Sequence, residues 1–155
     1  VVSFSVSDPS AVLFACNFNQ VRSTMAEALL KLSYGQKIFV DSCGVRRGAD
    51  GTGADPFVMA VMEELGSNLE TFRSKTFEDL EDGSFDLVIS LTPEAQHKAV
   101  ELARGRATEI EYWPTPDPTL VSGSRDTVLD AYRAVRDNLK KRIEARMGRP
   151  STFGG

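Results

Sequence analysis

The stretch AVLFACNFNQVRSTMAEALL, residues 11–30, decides the fold. Residues 11–15 are continuously apolar, as in a strand buried on both faces. From Ser23 the period changes: Met25, Ala26, Leu29, Leu30 and Leu32 recur at helical spacing, with Glu27 in the early turns and Gly35 closing the helix. Between strand and helix, residues 16–22 form a C-x5-R loop that a core has no use for. Backbone N–H groups leaving a strand and entering a helix curl into an anion cradle, and the helix dipole adds positive potential there. Arg22 can hold two oxygens of a tetrahedral oxyanion with its planar fork. Ser23 can donate its hydroxyl to the sulfur, although the same residue also suits a helix N-cap. These features favour thiolate over thiol, so Cys16 is expected to be a nucleophile near neutrality. Asn19 fits a tight loop because Asn tolerates unusual backbone angles. Phosphate, arsenate, vanadate and sulfate are the anions of the right shape.

Outward from the loop, strands and helices alternate. Residues 37–42 (KIFVDS) read as a second strand and residues 44–54 as a Gly-rich loop. Asp55-Pro56 starts a helix, Asp as N-cap and Pro at the first helical position, with Phe57, Met59, Val61, Met62 and Leu65 on its apolar face. Residues 85–91 (FDLVISL) form a third strand, Thr92-Pro93-Glu94 opens a helix through about Ala103, and residues 108–113 (TEIEYW) form a fourth strand. After a Pro-rich loop, residues 126–147 read as one helix facing inward with Val128, Leu129, Tyr132, Val135, Leu139 and Ile143. This alternation predicts an α/β fold: one three-layer domain over residues 11–147, a parallel sheet with helices on both faces. Residues 1–10 would be an N-terminal extension and 148–155 a flexible tail. Ligands of such sheets bind at the carboxyl ends of the strands, which places the C-x5-R loop at the natural site.

Bulk properties narrow the function. The 155 residues suit one domain, and a formal net charge of −4 argues against nucleic-acid affinity. No apolar run approaches the ~20 residues of a membrane span, and the opening VVSFSVSDPS lacks the basic start and cleavage site of a signal peptide. Two cysteines, Cys16 and Cys43, with one histidine supply neither a disulfide scaffold nor a structural zinc set, so a reducing cytoplasmic setting is expected. A thiolate attacking a phosphate ester also needs an acid for the leaving oxygen. Asp117, held between two prolines in WPTPDPT, offers one.

With both motifs identified, the chain resembles the low-molecular-weight protein tyrosine phosphatase family, including its bacterial arsenate-reductase-like branch. The resemblance covers about residues 11–147 and rests on VLFACNFNQVRSTMAEALL, DSCG (residues 41–44) and WPTPDP (residues 113–118). The order of parts discriminates, since other C-x5-R phosphatases place the acid upstream of the cysteine. The resemblance implies a flavodoxin-like four-stranded sheet of order 2-1-3-4. It implies Cys16 as nucleophile, Arg22 as phosphate clamp and Asp117 as general acid, then base. Asn17, Phe18, Asn19, Gln20, Val21, Arg22 and Ser23 would wrap the phosphate, with Asn19 holding the loop, Ser42 supporting it and Ser23 stabilising the thiolate. The implied reaction runs through a phosphocysteine and needs no metal or cofactor. Its substrates would be phosphorylated proteins or small aryl phosphates, with phosphate, vanadate or sulfate as inhibitors in the loop.

Several positions depart from the family pattern. Phe18 stands where glycine is usual, and Val21 where many members carry a second cysteine as redox guard. Thr119-Leu120 replaces an aromatic pair that grips phenolic substrates, and Ser23-Thr24 the common Ser-Pro. The segment YRAVRDNLKKRI (residues 132–143) resembles the arsenate-reductase branch, but ISLTPEAQ (residues 89–96) lacks the cysteines of its thioredoxin-coupled form. Three readings follow: a phosphomonoesterase, an arsenate reductase using an external thiol, and a non-catalytic phosphate or phosphoprotein binder. Cys43 reads as a buried filler, Arg46-Arg47 as a solvated basic pair, Tyr112 and Trp113 as half core and half rim, and His97 as a surface residue.

Overall fold

The computed structural model describes residues 8–49, 51–81 and 83–148. Most of the expected N-terminal extension (1–7) and of the expected tail (149–155) lies outside the described residues. The elements run β1 (Ala11–Cys16), α1 (Arg22–Tyr34), β2 (Phe39–Gly44), α2 (Pro56–Glu63), β3 (Leu87–Ser90), α3 (Pro93–Ala103), β4 (Glu109–Tyr112) and α4 (Arg125–Met147). Two short 3-10 turns, Phe77–Asp79 and Pro118–Leu120, lie between them. The four strands form one parallel sheet in the order β2-β1-β3-β4, the α/β architecture expected from the sequence.

The helices start where local chemistry tells them to. The Asp55 carboxylate accepts from the N–H of Phe57 at 2.7 Å and Pro56 opens α2, while Thr92 caps α3 ahead of Pro93. Ser124 caps α4 through Thr127 N–H at 3.1 Å. Because strand side chains alternate, β1 feeds two cores. Val12, Phe14 and Cys16 face α1, α2 and α4, packing with Met25, Leu30, Met62 and Leu139. Leu13 and Ala15 face α3 and pack with Cys43, Phe85, Ala95 and Ala99. Among the described residues no helix is long and apolar enough to cross a membrane.

Some boundaries and faces differ from the sequence reading. β2 begins two residues later than expected and extends through Gly44. The N–H groups of Lys37 and Ile38 fold back onto the Tyr34 carbonyl, and pairing with β1 carries Cys43 and Gly44 on into the sheet. Leu32 is exposed, because the last turn of α1 covers the core with Tyr34 instead. In α2 the fully buried residues are Val58, Val61 and Met62, and Phe57 and Met59 stand at the margin.

An ion-pair knot ties α4 to the end of α2. The buried Arg136 donates to the Val61 carbonyl at 2.8 Å and to Glu64 at 2.7 Å, and Arg133 reaches the other Glu64 oxygen at 2.8 Å. Hydrogen bonds from Arg133 and Arg136 lower the Glu64 carboxyl from 4.5 to about 2. A carboxyl lowered on folding adds stability that is complete above its unfolded value of 4.5 and lost as the pH falls through about 2. The melting-temperature gap between wild type and Glu64→Gln should therefore be largest near neutral pH and close as the pH approaches 2. Gly44 has a different constraint: a Cβ there would lie 2.8 Å from the backbone of Asn17, Phe18 and Asn19. Gly44→Ala should cost on the order of 1–3 kcal/mol in denaturant melts, since backbone cannot yield as a flexible side chain does.

Candidate active site

The C-x5-R loop leaves the end of β1 and enters α1, and its backbone is held open from outside. The carbonyls of Cys16, Asn17 and Gln20 accept from the N–H groups of Val45, Arg46 and Asp55 at 3.0 Å each. These acceptors are turned away from the centre, as in an anion cradle, and the positive end of α1 points into it. Asn19 occupies the left-handed region at φ 56°, the one non-glycine residue to do so among the described residues. Its side chain is fully buried.

That side chain organises the loop. Its carbonyl oxygen accepts from the Lys75 N–H at 2.9 Å, which orients the amide so that its NH2 donates to Ser23 Oγ at 2.8 Å and Ser42 Oγ at 2.9 Å. With Ser23 Oγ already accepting from Asn19, its proton is free for the Cys16 sulfur at 2.9 Å; the Cys43 carbonyl, at 3.4 Å, is a weaker alternative. Ser42 donates onward to the carboxylate of Glu27, which is buried and also paired with Lys31. Hydrogen bonds thus diverge from the Asn19 NH2, one branch through Ser42 to Glu27 and the other through Ser23 to the sulfur. Ser23 does not cap α1: Val21 holds the cap position, and the hydroxyl points at Cys16.

Arg22, which follows the interior strand β1, and Asp117, which follows the edge strand β4, meet in the cleft that Cys16 lines. The Thr115 N–H donates to the Leu91 carbonyl at 3.1 Å and folds the loop after β4 inward across β3. Arg22 Nη1 then donates to the Thr115 carbonyl at 2.9 Å, and Nη2 lies 3.9 Å from the Asp117 carboxylate. Asp117 is itself anchored by the N–H and hydroxyl of Thr119 at 2.9 and 2.6 Å. A cleft of about 540 Å³ opens here, lined among others by Cys16, Phe18, Arg22, Phe57 and Asp117. Tyr132 and Asp55 form part of its wall, the Tyr132 hydroxyl donating to Asp55 at 3.1 Å. Burial first, and the Asp55 charge second, raise the Tyr132 phenol, so it stays a neutral donor.

Of the remaining loop residues, Asn17 and Gln20 are tied to neighbouring segments. Asn17 Oδ1 accepts from the Thr92 hydroxyl at 2.8 Å, and Gln20 donates to the carbonyls of Gly51 and Gly53. Phe18 and Val21 line the cleft. Cys43 is fully buried on the opposite face of β2, its thiol raised well above the ordinary range by burial and then by nearby Cys16. Arg46 and Arg47 are exposed and paired with Glu94 and Asp79, and His97 is an exposed partner of Glu101. Trp113 is buried against Phe14, whereas Tyr112 is exposed. Among the described residues no group of three His, Cys, Asp or Glu side chains is placed to hold a metal.

Sequence reasoning missed Glu27, Thr115 and Gly44 as parts of the site. For Glu27 a signal existed, since it follows Ser23 by four residues and so shares its helix face. Thr115 contributes only its backbone, and Gly44 only the lack of a side chain, so neither leaves a chemical mark in the sequence.

Comparison with known proteins agrees with this geometry. The chain is 33% identical over 135 residues to the glutaredoxin arsenate reductase of Synechocystis sp., covering 86% of this chain and 92% of that protein. It is 29% identical over 140 residues to a low molecular weight protein-tyrosine-phosphatase of Streptomyces coelicolor, covering 86% and 84%. A solved arsenate reductase in its phosphate-binding state superposes with a TM-score of 0.69 at 29% identity, covering 92% of this chain and 99% of that one. The model of the low molecular weight phosphotyrosine protein phosphatase family matches residues 11–149, so the cysteine loop, the sheet behind it and the acid loop are all included, and the chain belongs to that family.

Proposed function

We propose that the chain is a cysteine-dependent phosphomonoester hydrolase. The observation that carries this reading is the convergence on one cleft of the Cys16 sulfur, the Arg22 guanidinium and the anchored Asp117 carboxylate. In the first step the sulfur attacks phosphorus in line with the ester oxygen. The S–P bond forms, the P–O bond breaks, and Asp117 in its acid form passes its proton to the leaving oxygen. Arg22 swings from Thr115 to grip two equatorial oxygens, a contact that tightens as charge builds in the transition state. In the second step the Asp117 carboxylate takes a proton from water, the water oxygen attacks phosphorus, and the S–P bond breaks. Inorganic phosphate leaves and Cys16 returns as thiolate.

Relatives named arsenate reductase support a second reading in the same cleft. There the sulfur would displace water from arsenate, forming an S–As bond as an As–O bond breaks; an external thiol would then attack that sulfur, the S–As electron pair staying on arsenic, which releases arsenite and leaves a mixed disulfide on Cys16. A second external thiol would then restore Cys16, so two thiols are oxidised for each arsenate reduced. An internal relay is ill suited to this chain, because Cys43 is buried on the far face of the sheet and position 21 is Val.

The two readings separate in one set of assays. Wild type should hydrolyse p-nitrophenyl phosphate, Cys16→Ser should lose turnover entirely, and Asp117→Asn should lower kcat about 10²–10⁴-fold, most for alkoxide-like leaving groups. Folded wild-type protein that leaves aryl phosphates intact yet consumes thiol with arsenate would replace the phosphatase reading by the second one. The hub beneath the loop has its own expected outcome. Asn19→Ala should lower kcat and melting temperature together, because it leaves the Lys75 N–H without its acceptor, at about 1–3 kcal/mol, and takes from Ser23 and Ser42 the donor they accept from.

A further inference from the structure

Phe18 is the residue of the loop that the chemistry does not require. Its ring is 44% exposed, yet it lines the cleft with Cys16 and Asp117. It is also held in place: the Arg46 guanidinium lies 6.0 Å from the ring centroid, and Arg46 is paired with Glu94 at the start of α3. A second ring, Phe57 of α2, lines the same cleft. It is backed by the Tyr132 ring at 5.3 Å and by the Arg125 guanidinium at 5.6 Å. The aromatic pair that the family resemblance leads one to expect after Asp117-Pro118 is here Thr119-Leu120, and the Leu120 side chain is 81% exposed.

The cleft is larger than an oxyanion needs. Its roughly 540 Å³ falls in the ~300–1,000 Å³ range of small-molecule sites. Beyond Phe18 and Phe57 its apolar wall includes Val21, Pro56, Val121 and Val128. Resting on the phosphomonoester reading of this same cleft, we propose that Phe18 and Phe57 are specificity-determining residues. They form the slot that receives the aromatic ring of an aryl phosphate while the loop holds its phosphate. Arg46 and Arg125 fix the two rings before the ligand arrives, so little side-chain freedom is lost on binding. An alkyl phosphate covers neither ring, so the slot discriminates by the shape of the leaving group rather than by charge.

Calorimetric titration with phenylphosphonate, methylphosphonate and inorganic phosphate tests the slot. The phosphonates are not hydrolysed, so the ratio of their dissociation constants reads ring binding and not leaving-group chemistry. Wild type should favour phenylphosphonate by about tenfold, and Phe18→Ala and Phe57→Leu should each reduce that preference roughly 3–10-fold, the worth of an aromatic contact. Phe57→Leu keeps apolar volume against Tyr132, and taking the ratio within each variant cancels any general weakening of the loop. Leu120→Ala should leave the ratio as it is in wild type. A wild-type ratio near one with inorganic phosphate bound overturns the slot, and so does a preference that survives both ring substitutions. Failure of folded wild type to bind all three ligands overturns the phosphate reading itself, and the slot falls with it.

Discussion

Everything at the site depends on the conformation of one backbone residue. Asn19 sits in the left-handed region, where a side chain other than glycine is strained unless something local compensates. The compensation is its own amide, which is fully buried and bonded to the Lys75 N–H and to the hydroxyls of Ser23 and Ser42. Those partners come from the segment before the first 3-10 turn, from α1 and from β2. Turning Asn19 out would leave the Lys75 N–H without its acceptor and take from Ser23 and Ser42 the donor they accept from, so the loop is held in one shape before any anion arrives. The carboxylate of Glu27 beneath Ser42 extends the same network, and Lys31 at the surface balances its charge.

The sheet supplies what the loop cannot. Cys16 ends a strand whose preceding four residues are wholly buried, so the sulfur stands on a rigid base. Gly44, its register partner on β2, lets the loop backbone settle against the sheet. Asp117 follows β4, which β3 separates from β1, and that gap is closed by backbone alone. Thr115 bonds inward to Leu91, and its carbonyl receives Arg22, so Arg22 and Asp117 are positioned by the same turn. A parallel sheet places ligands at its carboxyl edge, and this turn is the local device that brings Asp117 to the cleft lined by Cys16.

What the sequence made legible follows from this division. The buried run of β1, the C-x5-R spacing and the Asp55-Pro56 and Thr92-Pro93 caps are local patterns with local causes, and each element they announce is present. The start of β2 was misplaced because Lys37 and Ile38 are recruited by Tyr34, a contact that apolar alternation does not encode. Leu32 kept helical spacing but fell outside the covered stripe, since coverage depends on where α1 lies and not on period. Glu27 looked like an ordinary early-turn acid; only the position of Ser42 on the neighbouring strand shows that it is buried and bonded. Thr115 and Gly44 fall within WPTPDP and DSCG, but they act through backbone and through empty space, so neither motif says what they do.

The same division explains how the loop tolerates its departures from the family pattern. The side chains of Asn17, Asn19, Gln20, Arg22 and Ser23 are each committed to a named hydrogen-bond partner. Phe18 and Val21 bear apolar side chains that line the cleft. Changing either alters the walls that a bound group meets while the hydrogen bonds that shape the cradle stay in place. Val at position 21 also removes a sulfur from beside Cys16, and the alternation of β2 turns Cys43 to the other face of the sheet. No second sulfur of the two cysteines then shares the Cys16 face of the sheet. The redox chemistry proposed as the second reading therefore needs an external thiol, whereas the hydrolysis proposed as the first needs no sulfur beyond Cys16.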